Sequence, residues 1–274
     1  MTSAAEYVLG TDEAEYQRLG LQHRLWSDLA HQSWMHARIA PGMRVLDVGS
    51  GPGHATADLA QIVGSTGGVT AVDESALFIE RLRENVRARS LENVQAHVAD
   101  VQRLPTLGLP ENSYDIAYAR WVLCFVPDPA AVIAGVARLL KPGGRVCVND
   151  YFNYESMTIA PKNPAFSRGI AAVGRSWRER GGDPDLVGRL PRLAADAGLR
   201  VTHLRVHQRL ARPGDTMWAW PDSFWKNFIP RLAQTGHLTQ REAEEFFDAW
   251  RRVGEDPHSF MLLPPVFEFI AEKA

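Results

Sequence analysis

A chain of 274 residues with 45% hydrophobic and 23% charged residues can bury its own core without staples, as one large α/β domain or a core with a smaller cap. A formal net charge of −2 argues against a nucleic-acid or acidic-membrane partner. Cys124 and Cys147 both sit in apolar runs and read as buried thiols of a reducing compartment.

Several further classes fall away. No Cys/His cluster has metal-ligand spacing, so no metal is expected. Met1 to Tyr7 carries no signal pattern, and no run reaches the roughly 18 apolar residues that span a bilayer. The expected location is the cytoplasm, as a monomer or homodimer.

In chain order, Thr11-Asp12-Glu13-Ala14-Glu15 begins a helix, with Thr11 as cap and acids in the first turn. Apolar residues from Tyr16 to Trp34 then predict two helices across 12–39, stopped by Pro41-Gly42. Residues 1–42 form either a helical pad on the sheet or a lid, the latter favoured by Gln22, His23 and Arg24 lying beside Tyr7 and Trp26.

Val45-Leu46-Asp47-Val48 is a short apolar strand that runs into Gly49-Ser50-Gly51-Pro52-Gly53, and His54 to Val63 is a helix. Strand, glycine turn and helix build a nucleotide site, since glycines let a ligand reach the main chain. The dinucleotide fingerprint puts its third glycine one place later, where this chain has His54, and no Gly-Lys-Ser/Thr follows. The expected ligand is a nucleoside without a pyrophosphate.

Val69 to Asp73 is a second strand ending in an acid, with Glu74 next. A carboxylate there can accept from both ribose hydroxyls, or Asp73 can merely cap the next helix, with Ser75 as its rival. Residues 75–90 are an amphipathic helix. Val94 to Asp100 is strand three, where Asp100 can take an adenine amino group or form a turn, and Val101 can cover the base. A loop covers 104–113, and Tyr114 to Val122 is strand four, with Arg120 near its end. Asp128 and Pro129 start a helix that stops at Lys141-Pro142-Gly143-Gly144, and Arg145 to Asp150 is strand five.

These repeated units predict a parallel sheet with right-handed crossovers. Gly49, Asp73, Asp100, Arg120 and Asp150 all fall at strand carboxyl ends, the ligand edge of such a sheet. Beyond it come a helix near 164–180, another over 191–197, a strand from Leu199 to Leu210, helices in 213–259 and a last strand, Val266 to Ala271. His203 and His207 read as surface residues of the 199–210 strand.

With these residues placed, the chain resembles the class I S-adenosylmethionine-dependent methyltransferases. The likeness rests on Val45 to Gly53, Asp73, Ala99-Asp100 and Leu139-Leu140-Lys141-Pro142-Gly143-Gly144. It covers residues 43–151 and the strands near 199–210 and 265–273. The resemblance implies a Rossmann-like α/β fold with a seven-stranded, mostly parallel sheet, helices on both faces and helical lid or cap segments. It further implies a core over 43–152, an acceptor cap at 153–190, and the end of the sheet over 191–274 with a helical insertion at 213–259.

In that family the glycine turn, Gly49, Gly51 and Gly53, passes the methionyl part. The acid Asp73, with Glu74 beside it, takes the ribose. Asp100 and Val101 take the base, and Arg120 the amino acid end. The flanks, Tyr7-Val8-Leu9-Gly10 and Arg18 to Arg24, resemble the lids of a small-molecule branch, the natural-product and quinone-type enzymes, which adds Tyr7 and Gln22 as cofactor contacts.

The expected activity is methyl transfer to C, N or O of a small molecule in an apolar, aromatic pocket. Positioning and desolvation carry the displacement. If a base takes part, Asp150, Tyr151 and His54 are the leading candidates, with His23 a further one. The alternatives are a catalytically silent S-adenosylmethionine-binding partner module and an NAD-dependent oxidoreductase.

Overall fold

The computed structural model describes residues 13–274. Two helices, α1 (Glu13–Leu25) and α2 (Ser27–His36), precede the sheet. The core then alternates β1 (Arg44–Val48), α3 (His54–Val63), β2 (Gly68–Asp73), α4 (Ala76–Ala88) and β3 (Val94–Val98). It continues with β4 (Tyr114–Arg120), α5 (Pro129–Leu139) and β5 (Leu140–Tyr151).

The second half begins with β6 (Thr158–Ala160) and α6 (Pro164–Glu179), then α7 (Leu190–Asp196) and β7 (Leu199–His207). It ends with β8 (Leu210–Ala211), α8 (Ala219–Gln234), α9 (Gln240–Glu255), β9 (Phe260–Leu262) and β10 (Val266–Lys273).

The main sheet has seven strands in the order β3-β2-β1-β4-β5-β10-β7. Its first five strands are parallel, and β10 runs antiparallel to both β5 and β7. The order reverses beside β1, the switch point where open α/β sheets bind ligands. Because strand side chains alternate between faces, Leu46 and Val48 pack with α5 on one side while Val45 packs with α2 and α3 on the other.

Local chemistry fixes the helix starts. The Ser75 hydroxyl accepts from the Phe78 N–H at 3.2 Å to begin α4. Asp128 accepts from the Ala131 N–H at 3.0 Å, with Pro129 at the first helical position of α5. Thr239 and Glu242 close a reciprocal capping box on α9.

Three expectations need correction. The strand expected over 199–210 ends at His207, and Leu210–Ala211 joins a separate three-stranded sheet, β6-β9-β8. The strands of that sheet are too short to carry a period-two pattern. The loop expected at 104–113 begins instead as a 3₁₀ segment, Val101–Leu107, capped by the Asp100 carboxylate. His203 and His207 are half-buried and face the fully buried Glu268.

Candidate active site

A cavity of about 830 Å³ opens at the carboxyl ends of β1, β2 and β4, with α1 and α8 over it. Its volume lies in the upper part of the range for small-molecule sites, about 300–1,000 Å³.

The glycine turn forms the floor, and each glycine is needed for its own reason. All three have positive φ: +68° at Gly49, +54° at Gly51 and +84° at Gly53. A Cβ on Gly49 would sit 2.4 Å from Val122, and one on Gly53 would sit 2.4 Å from Leu82. Gly51 meets nothing within 4 Å, so the main chain at Gly51 faces open space.

Acids line the adjoining wall. Asp73 accepts from the Gly51 N–H at 2.8 Å and from the Ser75 N–H at 2.9 Å, one bond per oxygen. Those bonds aim the carboxylate and leave further lone pairs for ligand hydroxyls. Burial raises the Asp73 pKa, against the pull of the two N–H donors. Burial also raises Glu74, helped by the charges of Asp73 and Asp100. Gln102 donates to both Asp100 oxygens, from its main chain at 2.9 Å and from its amide at 3.1 and 3.2 Å.

Asp47 also lines the cavity, and its own sequence signal was only that of a core strand position. It is buried, and the Thr56 hydroxyl donates to it at 2.6 Å. Burial pushes its pKa up to about 6, opposed by the Thr56 bond and the Arg120 charge.

Arg120, at the end of β4, donates from Nη2 to Nδ1 of His23 at 2.9 Å. A guanidinium only donates, so Nδ1 is the acceptor and the His23 proton sits on Nε2. That Nε2–H donates to Asp58 at 2.9 Å. The His23–Asp58 contact is therefore a hydrogen bond of a neutral imidazole, in keeping with a pKa lowered by burial. The other guanidinium nitrogen, Nη1, is buried with no hydrogen-bond partner among the described residues.

Beyond the turn the cavity is aromatic. Trp121 stacks at 5.9 Å on Trp220 and at 6.1 Å on Tyr151, and Tyr154 and Trp177 are 4.7 Å apart. Gln22 joins α1 to α8: its side-chain amide oxygen accepts from Trp220 Nε1 at 2.8 Å and from Arg18 at 3.0 Å. Arg18 grips the fully buried Glu15 through two bonds of 2.7 Å. This buried pair lies within a helix of weak amphipathicity, and no sequence motif announces it.

Of the residues expected at the site, Gln22, Gly49, Gly51, Asp73, Glu74, Asp100, Val101 and Arg120 line the cavity, as do Tyr151 and His54. Gly53 lies behind the wall against Leu82. Tyr7 lies outside the described residues.

Asp150 is fully buried and not part of the lining. Its oxygens accept from the N–H groups of Cys124 at 3.1 Å and Tyr151 at 2.9 Å, so it braces the loop after β4 instead of meeting a ligand. Burial pushes the Tyr151 phenol well above its ordinary range, which makes it a hydrogen-bond donor and not a base at neutral pH. Burial brings His54 down to about 4, helped by the charge of Arg120, so its imidazole is neutral.

Residues 39–173 match the profile of a family described as a methyltransferase domain. Over 149 residues the chain is 36% identical to a protein of Shewanella halifaxensis named ubiquinone/menaquinone biosynthesis C-methyltransferase UbiE, covering 54% of this chain and 55% of that one. The chain thus spans about half the length of the curated relatives it matches. Among solved structures, a protein of Bacillus halodurans described as a putative methyltransferase is similar at a TM-score of 0.62 and 18% identity, over 90% of this chain and 99% of that one. Geranyl diphosphate C-methyltransferase of Streptomyces coelicolor is similar at a TM-score of 0.57 and 15% identity, over 100% and 88%. The matched segment spans about half of the chain, and its description and the sheet order agree with a class I S-adenosylmethionine-dependent methyltransferase.

Proposed function

We propose that the chain binds S-adenosylmethionine across the glycine turn and moves its methyl group to C, N or O of a largely apolar small molecule held by the aromatic wall. The observation that carries this reading is the buried Nη1 of Arg120, without a hydrogen-bond partner among the described residues, in the same cavity lining as Asp47, whose carboxylate feels the Arg120 charge. A buried donor without a partner costs about 1–3 kcal/mol, so it marks a ligand acceptor. Guanidinium and carboxylate together suit an amino acid zwitterion: Arg120 for its carboxylate, Asp47 for its ammonium. Asp73 suits the ribose hydroxyls, and Asp100 with Val101 the base.

S-adenosylmethionine supplies an electrophilic methyl on a sulfonium. The chain's own contribution is to hold two partners in line and keep water out, worth about 7–11 kcal/mol for a well-aligned pair. With Tyr151 protonated and Asp150 braced against the backbone, neither earlier candidate base takes a proton from the acceptor at neutral pH. His54 is neutral but a weak acceptor at about 4. Methyl transfer by alignment and desolvation fits this set better than general-base catalysis.

The direct test incubates the full chain with S-adenosylmethionine labelled in the methyl group and a panel of quinones, phenols and isoprenoid acceptors. Label recovered in an acceptor supports the reading. Cofactor binding with no transfer to any of them favours the second reading, a silent binding module, for which the scarcity of ionised bases on the acceptor side speaks.

A further inference from the structure

Away from the cavity, on the sheet face covered by α2, one carboxylate is buried among histidines. Glu268 of β10 has a side chain with no exposed surface. His36 Nδ1 lies 2.7 Å from its Oε1, while His203 Nε2 and His207 Nε2 lie 3.5 and 3.3 Å from its Oε2. The rings of His36 and His203 are 4.7 Å apart. Nε2 of His203 is buried without a hydrogen-bond partner among the described residues. Arg205, opposite Glu268 in the register of β7, is exposed.

Removing a carboxylate from water costs several kcal/mol unless a positive charge or good donors replace the hydration. His36 and His207 stand in hydrogen-bond contact with the carboxylate, and a divalent cation can take the place of the His36 proton and add His203, which has no hydrogen-bond partner of its own among the described residues.

We propose that His36, His203 and Glu268 form a binding site for a borderline divalent metal ion of the Zn²⁺ class, with His207 holding the carboxylate from the far side. One ligand atom from each of the three already lies within 4.8 Å of the others. Bonds of about 2.0–2.1 Å to nitrogen and oxygen place tetrahedral ligands about 3.3 Å apart. The 3.5 Å between His203 Nε2 and Glu268 Oε2 is near that edge.

Two nitrogens and one oxygen suit Zn²⁺, Co²⁺ or Ni²⁺ and not the oxygen-seeking Mg²⁺ or Ca²⁺. The fourth position falls to water, since His36 and His203 are about one-third exposed. The three ligands come from α2, β7 and β10, which is why no sequence spacing announces them.

The ion has a mechanical consequence. Ser33, one turn before His36 on α2, accepts from Nδ2 of Asn149 at 2.9 Å, and Asn149 is the register partner of Glu268. Asn149 in turn accepts from Tyr118, which lines the cavity. The metal would fasten α2, and with it the base of the lid helix α1, to the sheet.

The experiment uses the full chain, free of any purification tag and stripped with chelator. Titration with Co²⁺ is read by visible absorption, and thermal unfolding is measured with Zn²⁺ and with Mg²⁺. One Co²⁺ per chain with intense visible bands, displaced by Zn²⁺, is expected, together with a higher thermal midpoint in Zn²⁺ but not in Mg²⁺. His203→Gln and His36→Ala should each weaken binding at least about tenfold while retaining the far-ultraviolet dichroism of the parent. Absence of a Co²⁺ spectrum and of a Zn²⁺ shift in the parent overturns the proposal. So does unchanged Co²⁺ binding in both variants.

Discussion

Arg120 Nη2 donates to His23 Nδ1 across 2.9 Å, tying the end of β4 to helix α1. The contact joins residues 97 apart in sequence and settles the tautomer of His23. It also aims the guanidinium, so that one nitrogen is spent on α1 while Nη1 has no hydrogen-bond partner among the described residues. Helix α1 and the end of β4 are thereby joined at the cavity.

The first prediction separates these two jobs. Arg120→Leu removes a charge-assisted bond worth about 1.5–3 kcal/mol, so the Kd for S-adenosylhomocysteine should rise about 10–100-fold. His23→Ala leaves Arg120 in place and removes only the bond that aims it, so its indirect effect on the ligand should be smaller, roughly fivefold or about 1 kcal/mol. Calorimetric titration of both variants checks the order. Equal losses would mean that Arg120 serves the lid alone.

Asp73→Ala should weaken binding of S-adenosylhomocysteine by more than about tenfold, far beyond its effect on folding. The variant also strips the Gly51 and Ser75 N–H groups of their acceptor, at about 1 kcal/mol each, so some loss of thermal midpoint is expected. Unchanged affinity would sink the ribose assignment.

The glycines give a split result. Gly49→Ala drives a Cβ into Val122 at 2.4 Å and should fail to fold stably. Gly51→Ala meets open space and bears only the strain of positive φ, about 1–2 kcal/mol, so it should fold and bind poorly. Thermal unfolding and cofactor titration on both proteins read the split directly. Equal destabilisation of the two would contradict it.

Stability should carry a pH signature from His54. Its folded pKa of about 4 lies below the ordinary 6.5, so the unfolded chain binds the extra proton first as pH falls. The His54 contribution is complete above pH 6.5 and is lost as pH falls toward 4, on the order of 3 kcal/mol in all. His54→Gln has no such proton to take up. Its stability relative to the parent should therefore grow as pH drops through that window, measured by denaturant unfolding at several pH values. A constant difference would mean that His54 is not desolvated.

The parts of this molecule legible in sequence are those written locally. The turn from Gly49 to Gly53 directly follows β1, Asp73 ends β2 and Asp100 stands just past β3, so the strand pattern that gives the sheet also places them at its ligand edge. The aromatic wall has no local pattern, because Trp121, Trp177 and Trp220 reach one cavity from separate elements through tertiary packing. Asp47 sits in an apolar run that any buried strand would show, and nothing in that run says that its carboxylate reaches the cavity. Asp150 misled for the opposite reason: it ends a strand at the ligand edge but is drawn under the wall by the N–H groups of Cys124 and Tyr151. His36 and Glu268 are 232 residues apart and share no pattern.

Titration of the full chain with S-adenosylhomocysteine, and separately with NAD⁺, tests the central reading most directly. One S-adenosylhomocysteine per chain, bound at least about tenfold more weakly by Arg120→Leu and by Asp73→Ala, with no heat from NAD⁺, is the expected result. Binding of NAD⁺ without binding of S-adenosylhomocysteine would contradict it.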